Sequence, residues 1–177
     1  MTVVVTPQQF NFVAFDAALI QRIAEQLLAS LGLQDHDVVI EVDETTPLTR
    51  VRVEVGDPIS IRAESGAFED LKRPRQQSET ATATSLGRVL LRARDRLVAG
   101  FADAPPDKQL SLAEMAAWET YCIGRLERLG IAVNQQRWRY NFRNRHGFTD
   151  HADAAFDRLW ASDALTWDDL RAISAAA

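Results

Sequence analysis

The segment at 136–146 is the part of the chain whose residue types and spacing most clearly suggest chemistry. Its aromatic residues occupy even positions and its arginines odd ones: Trp138, Tyr140 and Phe142 alternate with Arg137, Arg139, Arg143 and Arg145. Period-two alternation predicts a strand with one aromatic face and one face of guanidinium groups. Each guanidinium presents a planar fork of N–H donors that matches a carboxylate or a phosphate. We therefore expect an Arg-rich strand that contacts an anionic small molecule or an acidic protein partner.

A purely structural interpretation of the same segment competes with this one. The strand would bury its aromatic residues, and its arginines would pair with the protein's own acids, of which Asp150, Asp153 and Asp157 follow closely. Clustered charges often form only such ion-pair networks. Recognition of nucleic acid is disfavoured, because the segment lacks a known nucleic-acid-binding frame and the chain carries a net charge of −5.

A second candidate site depends on Glu119, a carboxylate on the apolar side of a helix predicted at 112–129. At 100° per residue, Glu119 falls within the arc that holds Met115, Cys122 and Leu126. A buried carboxylate must be paired, hydrogen-bonded or protonated. An ion pair with an arginine would satisfy it. The alternative function is a small enzyme that acts on an anionic substrate, with Glu119 and a histidine, foremost His146, as acid and base.

Signals for metals, cofactors and familiar catalytic sites are missing from the sequence. His146 and His151 are five residues apart, a spacing that fits no common zinc site. Cys122 is the only cysteine, so no disulfide can form within the chain. No Gly-rich phosphate loop or nucleophile elbow occurs. We therefore expect no metal and no cofactor, and a binding protein is favoured over an enzyme.

The elements that must position these residues predict an α+β fold. Alternating apolar and polar residues over 38–64 predict a three-stranded antiparallel meander, covered on its apolar face by helices. Apolar residues at helical spacing predict helices at 16–31, 85–101, 112–129 and 150–161, with a short one after Thr166. Residues 65–84 follow neither period and predict a mobile loop.

Length and composition complete the expectations for the chain as a whole. The 177 residues suit a single domain, with a helical C-terminal subdomain at 111–177. The N-terminal residues lack the pattern of a signal peptide, and no apolar run is long enough to span a membrane. We expect a bacterial cytoplasmic protein with no membrane association. The acidic region at 34–70 and the basic region at 72–96 are also compatible with pairing across a homodimer.

Overall fold

The computed structural model describes all 177 residues, and the chain divides into two compact units. The first unit, Met1–Arg94, contains every strand, and the second, Asp95–Ala177, is helical. Helix α2, Glu79–Arg96, belongs to the first unit except for its last two residues. The predicted α+β class is confirmed.

The main sheet of the first unit has four strands and is mostly parallel. The strands are β1 (Val3–Thr6), β2 (Val38–Asp43), β3 (Val51–Glu54) and β4 (Ile59–Glu64), and their order in the sheet is β1-β2-β4-β3. Helix α1 (Ala17–Ser30) connects β1 to β2, which is parallel to it. Strand β4 is parallel to β2, and only β3 runs antiparallel to its neighbour.

The predicted meander over 38–64 is wrong, although its three strands exist. A meander requires β2 to pair with β3, but β2 pairs with β4, and β3 lies at the edge of the sheet. The connection at 44–50 leaves a gap of one strand between β2 and β3, and after the turn at 55–58 strand β4 fills this gap. Alternation determines which face of a strand is buried, but it does not determine the order of neighbouring strands.

Residues 65–84 form regular structure where we expected a loop. A 3-10 turn (Ser65–Ala67) leads into a hairpin of β5 (Glu69–Asp70) and β6 (Arg73–Gln77), and α2 begins directly afterwards. The Asp70 carboxylate accepts the backbone N–H groups of Lys72 at 2.8 Å and Arg73 at 3.1 Å. Hydrogen bonds from a side chain to the backbone can stabilise a turn in this way. They require no periodic pattern of apolar residues, so the sequence of the segment gives no helix or strand signal.

Apolar side chains from α1 and the sheet form the core of the first unit. The fully buried ones include Ile20 and Leu28 of α1, Ile40 of β2, and Ile59 and Ile61 of β4. The alternating burial along β2 and β4 agrees with the period-two pattern of the sequence.

The second unit contains four α-helices, and three of them pack around α3. They are α3 (Leu112–Arg128), α4 (Gln135–His146), α5 (Asp150–Ala161) and α6 (Trp167–Ala175), and each of the last three contacts α3. Ser111 begins α3 with a capping box in which Glu114 participates, as its sequence predicts. Gly124 allows α5 to approach closely, since a Cβ atom there would lie 2.1 Å from the carbonyl oxygen of Trp160.

Candidate functional site

The Arg-rich segment is a helix, so the predicted Arg-rich strand is wrong. Asn134 caps α4 by accepting the backbone N–H of Arg137 at 3.0 Å, and Gly147, at φ 103°, ends it. Both residues are standard helix boundaries, and arginine and glutamine favour helices. Of the three alternating aromatic residues only Phe142 is buried, against Phe156 of α5 at 5.8 Å between ring centroids.

The helical geometry divides the four arginines into two pairs. At 100° per residue, Arg139 and Arg143 lie about 40° apart around α4, and Arg137 and Arg145 about 80° apart. The first pair faces α5, where its partners are located. The second pair is exposed.

The inner pair is neutralised by carboxylates of α5. Arg143 donates two hydrogen bonds to the carboxylate of Asp153, one from Nε at 2.8 Å and one from Nη2 at 2.6 Å. These bonds lower the pKa of Asp153 and raise the pKa of Arg143. Arg139 pairs with Asp157 and lies over the Phe156 ring, 4.3 Å from its centroid. The structural interpretation is therefore correct for Arg139 and Arg143, which attach α4 to α5.

The outer pair has no side-chain partner in the structure. Arg137 and Arg145 are eight residues apart, which places them about 12 Å apart along the helix axis. Asn141 lies between them at the same four-residue spacing, and all three are exposed. No Asp or Glu occurs from 129 to 149, so this stretch of chain supplies no carboxylate of its own.

An exposed aromatic pair lies at the end of the same segment, where the guanidinium of Arg143 is 6.0 Å from the centroid of the Phe148 ring. Tyr140 is 58% exposed and Phe148 is 64% exposed, and their rings meet edge to face at 5.8 Å. Exposed aromatic residues beside arginines are typical of interaction surfaces. We call this surface the α4 outer face. It consists of Arg137, Tyr140, Asn141, Asn144, Arg145 and Phe148.

His146, the predicted acid or base, is held by two hydrogen bonds at the end of α4. Its Nδ1 lies 3.2 Å from the carbonyl oxygen of Phe142, and its Nε2 lies 2.8 Å from Oγ of Ser174 in α6. Burial lowers the pKa of His146, an effect that the Phe142 hydrogen bond opposes. Both ring nitrogens are thus engaged, and neither bond involves Glu119, which is half-buried in the middle of α3.

Ser174 also lines an open cavity of about 480 Å³ between α3 and α6. Sequence reasoning did not identify Ser174, because 28 residues separate it from His146 and a lone serine on an apolar helix face has no recognisable motif. The other side chains of the cavity wall that carry charge are Glu114, Asp168 and Arg171.

A buried ion pair is the other polar group that sequence reasoning missed. Asp95 accepts two hydrogen bonds from the guanidinium of Arg125, each 2.7 Å long, and a third from Nε1 of Trp118 at 2.8 Å. The guanidinium stacks on the Tyr121 ring at 3.7 Å. Burial is the largest single influence and lowers the pKa of Arg125, but the hydrogen bonds to Asp95 and the charge interactions with Cys122, Asp95 and Tyr121 together raise the pKa. Both side chains of the pair are buried among the helices that they join.

The structure shows neither a cluster of metal-ligating side chains nor a membrane-spanning helix. No three His, Cys, Asp or Glu side chains lie close enough together to hold a metal ion. None of the helices combines the length and the apolar character that crossing a bilayer requires. No family model matches the chain, and no match is found among curated proteins or solved structures.

Proposed function

We propose that the α4 outer face binds an acidic segment of a partner protein. One observation carries this proposal: two exposed guanidinium groups without side-chain partners, Arg137 and Arg145, lie on one side of a helix that has no acid in its sequence. Unpaired guanidinium groups at a protein surface are well suited to bidentate contacts with carboxylates. Binding would use charge for orientation and the exposed aromatic pair for contact area.

The spacing of the two arginines favours an extended acidic partner over a small anion. About 12 Å along the axis is too far for one carboxylate or phosphate to bridge, but an acidic helix or an extended acidic chain presents carboxylates at such intervals. The net charge of −5 repels acidic peptides and nucleic acids alike, so it does not separate the two. Two exposed arginines are few for a nucleic-acid interface, in which many phosphates are contacted, and this favours the acidic segment.

The alternative enzyme, with Glu119 and His146 as acid and base, has less support. The hydrogen bonds of His146 go to Phe142 and Ser174. General acid–base catalysis requires both groups within reach of one substrate. No observed geometry joins Glu119 to the histidine.

The direct test is binding of a fluorescent oligoglutamate peptide of about ten residues, followed by anisotropy at low salt. Each exposed charge pair contributes up to about 1 kcal/mol, so the Arg137→Ala plus Arg145→Ala variant should weaken binding by up to about 30-fold. Raising the salt concentration should weaken binding to the parent protein, because screening acts on exposed charges.

A control variant with the same change in net charge separates a local site from general attraction. Arg22→Ala plus Arg52→Ala removes two exposed arginines of the first unit. This control should bind the peptide as the parent does. Equal weakening in both variants, or no binding by the parent at low salt, contradicts the proposal. Tighter binding of a single-stranded oligonucleotide than of the peptide would instead identify nucleic acid as the partner.

A further inference from the structure

The contact between Ser174 and His146 has the form of a nucleophile with its base. Ser174 Oγ lies 2.8 Å from His146 Nε2, well within hydrogen-bond distance. The imidazole ring stacks on Phe142, with 3.9 Å between ring centroids and 11° between planes. Stacking and the Nδ1 contact with the Phe142 carbonyl, at 3.2 Å, hold the ring in one orientation. A nucleophile, a base and a group that orients the base are the parts that covalent catalysis requires.

The partners of the ring also determine which nitrogen carries the proton. A carbonyl oxygen only accepts hydrogen bonds, so Nδ1 of His146 is the N–H donor to Phe142. In the neutral ring Nε2 then has a lone pair and accepts the hydroxyl proton of Ser174. This is the tautomer that a base needs in order to remove a proton from a serine hydroxyl. Burial favours the neutral ring.

The surroundings of Ser174 provide space for a substrate. Ser174 lines the cavity of about 480 Å³, a volume within the range of small-molecule sites. Ser111 and Ala113, at the start of α3, also line the cavity. The capping box already occupies the N–H groups of Ser111 and Glu114, so at this end of α3 the N–H groups of Leu112 and Ala113 are the donors left for a developing oxyanion.

We propose that Ser174 is a nucleophile that cleaves small acyl esters, with His146 as its general base. Oγ forms a bond to the carbonyl carbon while Nε2 takes the hydroxyl proton. The bond between the carbonyl carbon and the ester oxygen then breaks, and the leaving alkoxide takes the proton from Nε2. Water repeats the two steps on the acyl-serine, which releases the carboxylic acid and restores the hydroxyl group. No cofactor or redox partner is involved.

Arg171 is the only basic side chain of the cavity wall, which also carries the carboxylates of Glu114 and Asp168, and it is the only wall side chain that can pair with a carboxylate of a substrate. Its side chain is 56% exposed, and its contacts with acids are long, 3.7 Å to Glu114 and 4.0 Å to Asp168. Contacts of this length exceed a normal hydrogen bond, so the guanidinium group can turn to a substrate anion at little cost. This activity is independent of the α4 outer face and of its partner.

A fluorophosphonate reporter tests the nucleophile directly. Attack of Oγ on phosphorus expels fluoride and leaves a stable phosphonate ester of the serine, which mass spectrometry locates in the parent chain without any substitution. We expect label on Ser174 of the parent and none on Ser174→Ala. Because a general base contributes about 10² to 10⁴ in rate, His146→Asn should be labelled at least about 100-fold more slowly. Ser30→Ala removes an exposed serine whose hydroxyl contacts only a backbone carbonyl, and it should be labelled as the parent is.

Turnover of 4-nitrophenyl acetate and of a 4-nitrophenyl ester of a dicarboxylic acid provides the second measurement. Both esters should be hydrolysed by the parent and not by Ser174→Ala, and Arg171→Ala should slow only the ester that carries a carboxylate. Circular dichroism of each variant distinguishes lost reactivity from lost folding. The proposal is overturned if the parent remains unlabelled, if the label lies on another residue, or if a folded His146→Asn variant reacts at the parental rate.

Discussion

Removal of Asp95 is the perturbation that best tests how the second unit is held together. Asp95→Ala deletes the carboxylate that accepts two hydrogen bonds from Arg125 and one from Trp118. The Arg125 side chain is only 9% exposed, so its charge would remain in the interior without a counterion. Breaking a buried pair in this way costs about 3–5 kcal/mol, far more than the loss of an exposed pair.

The intrinsic fluorophores of the protein make this change measurable in the unit concerned. All four tryptophans lie in the second unit, at 118, 138, 160 and 167. Urea titration followed by tryptophan fluorescence therefore reports the free energy of unfolding of that unit. Asp163→Ala is the matched control, since Asp163 pairs with Arg128 but its side chain is 68% exposed, and its loss should cost about 1 kcal/mol or less.

A double-mutant cycle with Arg125→Met separates the ion pair from general packing. Each single variant leaves one buried charge unpaired, whereas the double variant leaves none. The double variant should therefore lose less stability than the sum of the two single losses. If Asp95→Ala costs no more than Asp163→Ala, or if the two single losses simply add, the buried ion pair does not have the role that its geometry indicates.

Two further predictions concern the helix contacts of the same unit. Gly124→Ala should lower the free energy of unfolding of the second unit by about 1–3 kcal/mol, because the new methyl group would clash with the carbonyl group of Trp160. Helix propensity alone would instead raise the free energy of unfolding by about 1 kcal/mol. A variant that is more stable than the parent would therefore contradict the close packing at Gly124. Because burial lowers the pKa of His146, the unfolded chain binds the extra proton first, and the free energy of unfolding should fall as pH decreases below about 6.5. In urea titrations of His146→Asn, the free energy of unfolding should therefore depend less on pH between about pH 6.5 and 5 than it does in the parent. The same pH dependence in the variant and the parent would refute this prediction.

Local signals in the sequence were sufficient for most helices. Thr149 predicts the start of α5, and the helix found at Asp150–Ala161 agrees with the expected 150–161. The capping box at Ser111 likewise predicts the start of α3. These signals are reliable because a cap and an apolar stripe act within a few residues of each other.

The Arg-rich segment shows where local patterns mislead. Alternating aromatic and basic residues over 136–146 fit a strand, but Asn134 and Gly147 bound a helix, and α3 and α5 provide surfaces for it to pack on. In a short segment the same apolar residues can fit the spacing of a strand or of a helix. Tertiary contacts then determine which of the two conformations forms. Because the segment is helical, Arg139 and Arg143 are paired while Arg137 and Arg145 are left exposed.

Composition, period and capping residues were enough to predict an α+β chain, the faces of its strands and the bounds of most helices, since each depends on neighbours in the chain. The order of the strands, the Asp95–Arg125 pair and the Ser174–His146 contact came only from the folded molecule. Residues separated by about 30 positions meet through packing of whole elements, and no local pattern encodes which of many polar side chains will face each other there.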